Sequence, residues 1–397
     1  MRTSAAPADA SSPEGDKGGR TLRGLVGYFA KLGAWGFGGP VALVGYMRRD
    51  LVDERGWFEE REYEQGLAIS QAMPGPLAAQ VCMWFGYLER GWRGALAVSL
   101  PFVLPAAVVT TVAAIVYAHY QGLGIVQDLF FGVAPAVLAI IAVSSWKLAR
   151  ATNKRDPVLW VIAAVQAVAT VLTGQEIVWP FLAAALFGAV YYGGGLPRLR
   201  GAASIVPAPL LAVVNGFAWA GSGPSLAAVS VFFLQASAFT FGSGLAIVPF
   251  LHAGLVNEHH WLTEQQFVDT VAMGIMTPGP VVIMAIFGGY LIYGIAGAVI
   301  ATVAVFVPVY LFIVVPGRFF RRYENHPRLL GFTKGATAAA AGAIAGAAIL
   351  IARETISGGL SAAIALVALA LLLQRRVKVP EPAIVALGAV AGVLLHG

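Results

Sequence analysis

Apolar segments alternate with short polar connectors along most of this chain. A helix that crosses a membrane needs about 20 apolar residues, or somewhat fewer if it is shortened. Seven runs approach that length, at residues 98–117, 129–146, 158–172, 177–190, 296–315, 336–352 and 360–373. The pattern predicts an all-α polytopic membrane protein.

Two further apolar segments are interrupted near their middles by glycine and proline. Residues 24–46 are interrupted at Phe37-Gly38-Gly39-Pro40, and residues 66–88 at Met73-Pro74-Gly75-Pro76. Proline removes a backbone donor and glycine weakens a helix, so each segment should break there. The connector between the two segments, residues 47–65, is rich in charges of both signs.

The interrupted segments occur twice. Pro278-Gly279-Pro280 follows Pro74-Gly75-Pro76 at 278 − 74 = 204 positions, and Phe241-Gly242 follows Phe37-Gly38 at 241 − 37 = 204. Repetition over this length indicates two copies of one folding unit. In the second copy, Thr263 followed by Gln266 predicts a capping box at a helix start. The predicted domains are a disordered tail (1–20), a first repeat (21–200), a linker (201–225) and a second repeat (226–397).

Lysine and arginine fall in opposite connectors of the two copies. In the first copy they follow the first, second, fourth and sixth segments, whereas residues 252–266 and 292–295 of the second copy contain none. Because these residues favour the cytoplasmic side, the copies are predicted to be inverted in the membrane. Within each copy the first two connectors are alike: both contain lysine or arginine in the first copy, and neither does in the second. The Pro-Gly-Pro segment between them is therefore predicted to enter and leave on one side, as a re-entrant hairpin.

This interpretation gives five spans and one hairpin per copy, or about ten spans and two hairpins in all. Its weakness is that Arg20 and Arg23 would lie outside. The alternative has six spans per copy and a linker that crosses through residues 210–220, giving 12 or 13 spans.

Composition supports a membrane protein. Hydrophobic residues make up 58% of the 397 positions and charged residues 12%, about half the usual soluble fraction of roughly 25%. The net charge of +6 lies in the connectors, where it reports topology rather than nucleic-acid binding. Cys82 is the one cysteine, which excludes an internal disulfide. No apolar signal-peptide core precedes Thr21.

The breaks are the candidate ligand site. A broken helix presents free N–H groups and a positive dipole end, which suits an anion. Glycine lets backbone approach a ligand closely, although glycine and proline could also serve packing alone. The candidate binding residues at the breaks are Phe37, Gly38, Gly39, Pro40, Gln71, Pro74, Gly75, Pro76, Thr240, Phe241, Gly242, Ser243, Thr277, Pro278, Gly279 and Pro280.

Lys31 completes the candidate site. It lies two helical turns before Gly38 and about eight residues inside its segment, roughly 12 Å along a helix. A cation at that depth is expensive and often functional, but its side chain could instead extend to the interface. The corresponding residue of the second copy is Gln235, so the site would be asymmetric.

Other chemistry is not indicated. The sequence contains no intramembrane acid pair, metal-ligand cluster, nucleotide-binding loop or nucleophile motif. We therefore expect no catalytic residues, metal or cofactor, and any transport would be secondary rather than driven by ATP.

The duplicated motifs resemble those of the chromate ion transporter family in its long, two-domain form. The resemblance rests on Phe37-Gly38-Gly39-Pro40, Gly56-Trp57, Gln71 with Pro74-Gly75-Pro76, and Gly86-Tyr87, a series that is followed by a second copy. It implies a multi-pass protein of the cell membrane that exports chromate and confers chromate resistance. The second copy departs from the pattern at Ser243 and Gly244.

Three alternatives remain open from the sequence. The substrate could be sulfate or another anion, the chain could be a membrane-embedded enzyme or scaffold, and it could act as a homodimer.

Overall fold

The computed structural model describes residues 20–36, 39–173, 178–194, 224–241, 244–317, 326–374 and 379–396, and within them the chain is helical without strands. The first half contains α1 (Leu22–Trp35), α2 (Gly39–Arg48), α3 (Glu60–Ala72), α4 (Leu77–Tyr120), α5 (Gly124–Asn153), α6 (Pro157–Thr173) and α7 (Val178–Tyr191). The second half contains α8 (Leu226–Ala238), α9 (Val248–His252), α10 (Glu264–Met276), α11 (Met284–Gly317), α12 (Pro327–Thr355), α13 (Gly359–Leu373) and α14 (Glu381–Leu395). A π-helix follows α2 (Arg49–Glu54) and another follows α9 (Ala253–Glu258), while 3-10 helices precede α9 (Gly244–Ile247) and α11 (Val281–Ile283).

The long helices make this a membrane protein. Within the described ranges, four helical segments are long and apolar enough to cross a bilayer: Leu77–Tyr120, Gly124–Asn153, Val281–Gly317 and Pro327–Thr355. Their mean hydropathy lies between 1.9 and 2.8. Shorter apolar helices surround them, including α6, α13 and α14.

Capping residues set the starts of the interrupted segments in both halves. The predicted capping box at α10 is confirmed, since Thr263 accepts from the Gln266 amide and Gln266 from the Thr263 amide. Glu59 and Glu62 form the same box at α3, 204 positions earlier. Side-chain oxygens satisfy N–H groups that a helix start leaves unpaired, which fixes where each helix begins.

The Pro-Gly-Pro segments fold as helical hairpins. The Trp84 indole donates to the Glu62 carbonyl oxygen at 2.9 Å, so the end of the segment lies beside its start. Arg20 joins the same two ends, with its guanidinium 3.0 Å from Glu89 and 3.6 Å from Glu62. In the second half, Gly274 packs on Met284 and Gly288 lies near Thr270. Each Pro-Gly-Pro sequence therefore occupies a hairpin tip.

Helices α4 and α11 each reverse direction at a glycine. The backbone leaves helical geometry at Arg90 and Gly91 (φ −142° and 58°), and again at Tyr293 and Gly294 (φ −142° and 61°). Positive φ is readily adopted by glycine. Each helix is thus an inner arm, residues 77–89 or 284–292, followed by a longer outer arm, residues 92–120 or 295–317.

The first interrupted segment differs from the expected span. Arg20, just before α1, donates to the Trp57 carbonyl oxygen at 3.2 Å, and the Tyr28 hydroxyl donates to Asp50 at 3.1 Å. The segment therefore leaves and returns to one end of the molecule. The reason is the break after α1, because a 14-residue helix is about 21 Å long, less than the roughly 30 Å of a bilayer core. In the second half Phe232 packs likewise, with its ring centroid 6.0 Å from Trp261.

Two contacts join the far end of one helix to the start of another. The Tyr310 hydroxyl, far along the outer arm of α11, donates at 2.8 Å to the Trp92 carbonyl oxygen at the start of the other outer arm. His396, after the last helix, is 2.7 Å from Asp128 near the start of α5. We call the end with Arg20, Arg55, Arg90 and Lys154 the basic end, and the end with His119, Asp128, His259 and His396 the opposite end.

Candidate functional site

The hairpin tips of the two halves meet through a reciprocal pair of backbone hydrogen bonds. The Gly75 amide donates to the Thr240 carbonyl oxygen at 2.6 Å, and the Gly279 amide donates to the Gly36 carbonyl oxygen at 3.0 Å. Both partners are related by the repeat offset, since 279 − 75 = 204 and 240 − 36 = 204. Each Pro-Gly-Pro tip therefore binds the break between the first two helices of the other half.

Both tip glycines have backbone conformations that disfavour any other residue. The φ angle is 137° at Gly75 and 100° at Gly279. A Cβ on Gly75 would lie 2.7 Å from Gln80 Nε2, and one on Gly279 would lie 3.1 Å from the Ala106 Cβ. Glycine is required here by backbone angle and by close packing together.

Two helix starts at the tips have no side-chain cap. Pro76 precedes α4 and Pro280 precedes the 3-10 helix at Val281, and neither can cap the following N–H groups. Their prolines, with Pro74 and Pro278, are buried. Uncapped N–H groups and the positive end of a helix dipole favour an anion.

Gln80 is a buried polar residue at the tip that the sequence analysis missed. Its side chain is 0% exposed, and its Nε2 donates to the Pro74 carbonyl oxygen at 2.8 Å. Its Oε1 has no hydrogen-bond partner. A polar residue one turn after Pro-Gly-Pro was the available signal, but the equivalent residue in the second half is Met284, so the repeat does not mark it.

Two predicted hydroxyl groups point back into their own helices. Thr240 Oγ1 donates to the Ala236 carbonyl oxygen at 2.8 Å, and Thr277 Oγ1 donates to that of Met273 at 2.7 Å. Those hydroxyl hydrogens are therefore occupied in this conformation.

The remaining predicted residues differ in their surroundings. Phe241 is buried and packs on Phe181, with ring centroids 5.4 Å apart. Gly39, with φ 75°, and Pro40 begin α2 beside the first break. The predictions for Phe37, Gly38, Gly242 and Ser243 lie outside the described residues.

Lys31 lies on the exposed face of α1. It shares that face with Arg23, Gly27 and Trp35, all of which are exposed. Among the described residues, no ion pair joins the Lys31 ammonium group to the Pro-Gly-Pro tips.

The two Pro-Gly-Pro hairpins differ in burial. On α3, Glu64, Ala68 and Gln71 are exposed and form one stripe that runs from the basic end to the tip. Their counterparts on α10 are Val268, Ala272 and Ile275, and all three are buried. Glutamate and glutamine are disfavoured against lipid, so the stripe on α3 is best accounted for by contact with water.

Comparison with known proteins identifies the family. The sequence profile described as "Chromate transporter" matches residues 24–189 and again 227–393. The "Chromate transport protein" of Cupriavidus metallidurans is 45% identical over 95% of this chain and 94% of its own length. The "Probable chromate transport protein" of Synechococcus elongatus is 42% identical over 94% and 95%, respectively, and the "Chromate transport protein" of Pseudomonas aeruginosa is 32% identical over 83% and 81%. No solved structure matches the chain.

These names indicate a transporter rather than an enzyme. Since the profile matches both halves and the relatives align over most of their lengths, the chain belongs to the chromate transporter family.

Proposed function

We propose that this protein is a secondary carrier that exports chromate across the cell membrane and thereby confers chromate resistance. The anion binds between the hairpin tips. Family membership and the names of three relatives support chromate as the substrate. A dianion leaving a cell with a negative interior gains about 4.6 kcal/mol per 100 mV, which supports the outward direction.

The observation that carries the proposal is the reciprocal tip contact. The bonds from Gly75 to Thr240 and from Gly279 to Gly36 join two uncapped helix starts of opposite halves near the centre of the molecule. Rocking one half against the other would move both tips, so a bound anion could be exposed to each side in turn.

We further propose two inverted repeats, each with four crossings and two hairpins that enter part of the membrane. The crossings in the first half are the outer arm of α4 with α5, α6 and α7. We prefer this count to five crossings per half because Arg20 contacts Trp57. Since four is an even number, the first half then begins and ends at the basic end, whereas α8 of the second half begins at the opposite end.

The exposed stripe on α3 supports water access from the basic end. We expect cysteine in Gln71→Cys to react with a small water-soluble thiol reagent applied from that end. The matched variant Ile275→Cys should stay unreactive, because its position is 5% exposed. Both are made in a Cys82→Ser background and measured by mass spectrometry. Equal reactivity at positions 71 and 275 would contradict the prediction that water reaches the first hairpin, from the basic end, but not the second.

Lys31 is proposed to attract the anion towards the tips. Because its side chain is exposed, we expect Lys31→Gln to raise the half-saturating chromate concentration severalfold at low ionic strength. The difference should shrink in high salt, which screens exposed charges. Lys31→Arg keeps the charge and should behave like the wild type. A Lys31→Gln response equal to wild type in low salt would remove Lys31 from the pathway.

Uptake of labelled chromate by vesicles containing purified protein tests the proposed function. We expect saturable uptake that protein-free vesicles lack. Unlabelled sulfate is the competitor that decides between a chromate carrier and a sulfate carrier. Saturable sulfate uptake without chromate uptake would replace the proposed substrate, and uptake of neither anion would refute the proposal.

A further inference from the structure

A buried carboxyl group joins the two halves of the protein at the opposite end. Asp269, on α10, is 1% exposed. Its Oδ2 accepts a 2.6 Å hydrogen bond from the Tyr117 hydroxyl of α4, and its Oδ1 accepts a 2.8 Å bond from Gln265 Nε2. The Tyr117 ring packs on Phe130 and Phe287, with centroids 5.1 and 5.3 Å away. Asp269 therefore links the Pro-Gly-Pro hairpin of the second half to an outer arm of the first.

No cation accompanies this carboxyl group among the described residues. The elements packed against α10 include α4, α5, α11, α14 and the π-helix before it. Titratable groups on or next to these elements, near this end, are Tyr117, His119, Tyr120, Asp128, His252, Glu258, His259, His260, Glu264, Tyr290, Tyr293 and His396. His252 pairs with Glu264 at 2.9 Å. Asp128 pairs with His396 at 2.7 Å, and His119 is exposed. A buried carboxylate without a cation is strongly disfavoured, and a proton removes that penalty.

The repeat offset shows that this carboxyl group is not required by the hairpin fold. The equivalent position on α3 is 269 − 204 = 65, occupied by Gln65, which is also buried. A glutamine has similar polarity but cannot titrate at physiological pH. The acid is therefore specific to the second half, whose Pro-Gly-Pro hairpin is the more buried of the two.

We propose that Asp269 is a proton-binding site whose protonation is coupled to movement of the anion. When the second hairpin opens towards the opposite end, the contact with Tyr117 separates and water reaches the carboxyl group. The Asp269 O–H bond then breaks and the proton passes to water. When the hairpin closes and the anion site faces the basic end, the carboxylate takes a proton from water that reaches it from the basic end. Its O–H bond forms again and the contact with Tyr117 is restored. This inference rests on the proposed carrier function.

Asp269→Asn tests the coupling because asparagine keeps similar size and polarity but binds no proton. Vesicles carry a pH-sensitive dye inside, which reports proton movement. Labelled chromate is measured as net accumulation under a pH gradient and as exchange for unlabelled chromate. We expect wild type to move protons with chromate and to accumulate chromate when a pH gradient is imposed. Asp269→Asn should lose both effects but retain exchange of chromate for chromate, which needs no net proton movement.

Asp156→Asn is the matched control. Asp156 also accepts from a tyrosine, at 2.5 Å from the Tyr192 hydroxyl, but it lies in the connector after α5 and is half-exposed. That hydrogen bond lowers the pKa of Asp156, so this carboxyl group stays ionised at neutral pH. We expect its replacement to leave proton movement unchanged.

The outcomes separate the two proposals. Absence of chromate exchange by wild type would refute the carrier function itself. Chromate exchange without proton movement by wild type would overturn only the role of Asp269, as would gradient-driven accumulation retained by Asp269→Asn.

A second measurement uses wild-type protein and so does not depend on folding of the variant. A hydrophobic carbodiimide, which reacts with protonated carboxyl groups, should modify Asp269 and stop gradient-driven accumulation. Modification confined to other carboxyl groups would overturn the inference.

Discussion

Gly75→Val and Gly279→Val are each expected to abolish chromate uptake by vesicles while the protein remains folded in the membrane. Both positions have positive φ, 137° and 100°, which costs a branched residue about 1–3 kcal/mol. The valine side chain would also meet Gln80 or Ala106. Because the Gly75 and Gly279 amides bond each tip to the other half, the tips should separate and lose the anion site.

Gly56→Val separates backbone strain from loss of the site. Gly56 has φ 58°, yet a Cβ there would have no atom within 4 Å. We expect this variant to transport chromate, with protein amount and thermal stability compared for all three. Wild-type uptake by Gly75→Val and Gly279→Val would remove the tips from the site, and their loss from the membrane would indicate a packing role.

Single cysteines at equivalent positions of the two halves are expected to be labelled from opposite sides of the membrane. Arg55 and His259 are related by 259 − 55 = 204, but lie at the basic and the opposite end. Among the described residues, Arg353 near the end of α12 is the only lysine or arginine at the opposite end. Lysine and arginine favour the cytoplasmic side, so the basic end should be cytoplasmic. Arg55→Cys should react with an impermeant thiol reagent only after cells are permeabilised, whereas His259→Cys should react in intact cells.

Lys154→Cys and His119→Cys provide an independent pair in the same Cys82→Ser background. Lys154 follows α5 at the basic end, and His119 lies near the end of α4. We expect them to match Arg55→Cys and His259→Cys, respectively. Labelling of positions 55 and 259 from one side would refute the inverted arrangement.

Much of the candidate site could be proposed from the sequence because the breaks that form it are marked by duplication. The breaks at Pro74-Gly75-Pro76 and Pro278-Gly279-Pro280 stand out in apolar segments at a constant offset. Helices must end there for reasons that are local to the chain. The capping box at Thr263 is local in the same sense and was also predicted correctly.

Contacts between distant segments could not be predicted. The return of the first segment depends on Arg20 and Trp57, which lie 37 positions apart, and charge counting alone favoured a span there. The pairing of each tip with the other half depends on how the halves face each other. Asp269 gave no signal because its partner, Tyr117, is 152 positions away.

The position of bound chromium tests the central claim most directly. Crystals of the protein with chromate, measured at the chromium absorption edge, locate the metal atom of the anion by its anomalous signal. We expect one peak between the Pro74-Gly75-Pro76 and Pro278-Gly279-Pro280 tips. That position should place chromate oxygens within hydrogen-bond reach of the backbone N–H groups at the start of α4 or at Val281. A peak at the arginine-rich connector around Arg48 and Arg49, with none between the tips, would contradict the account.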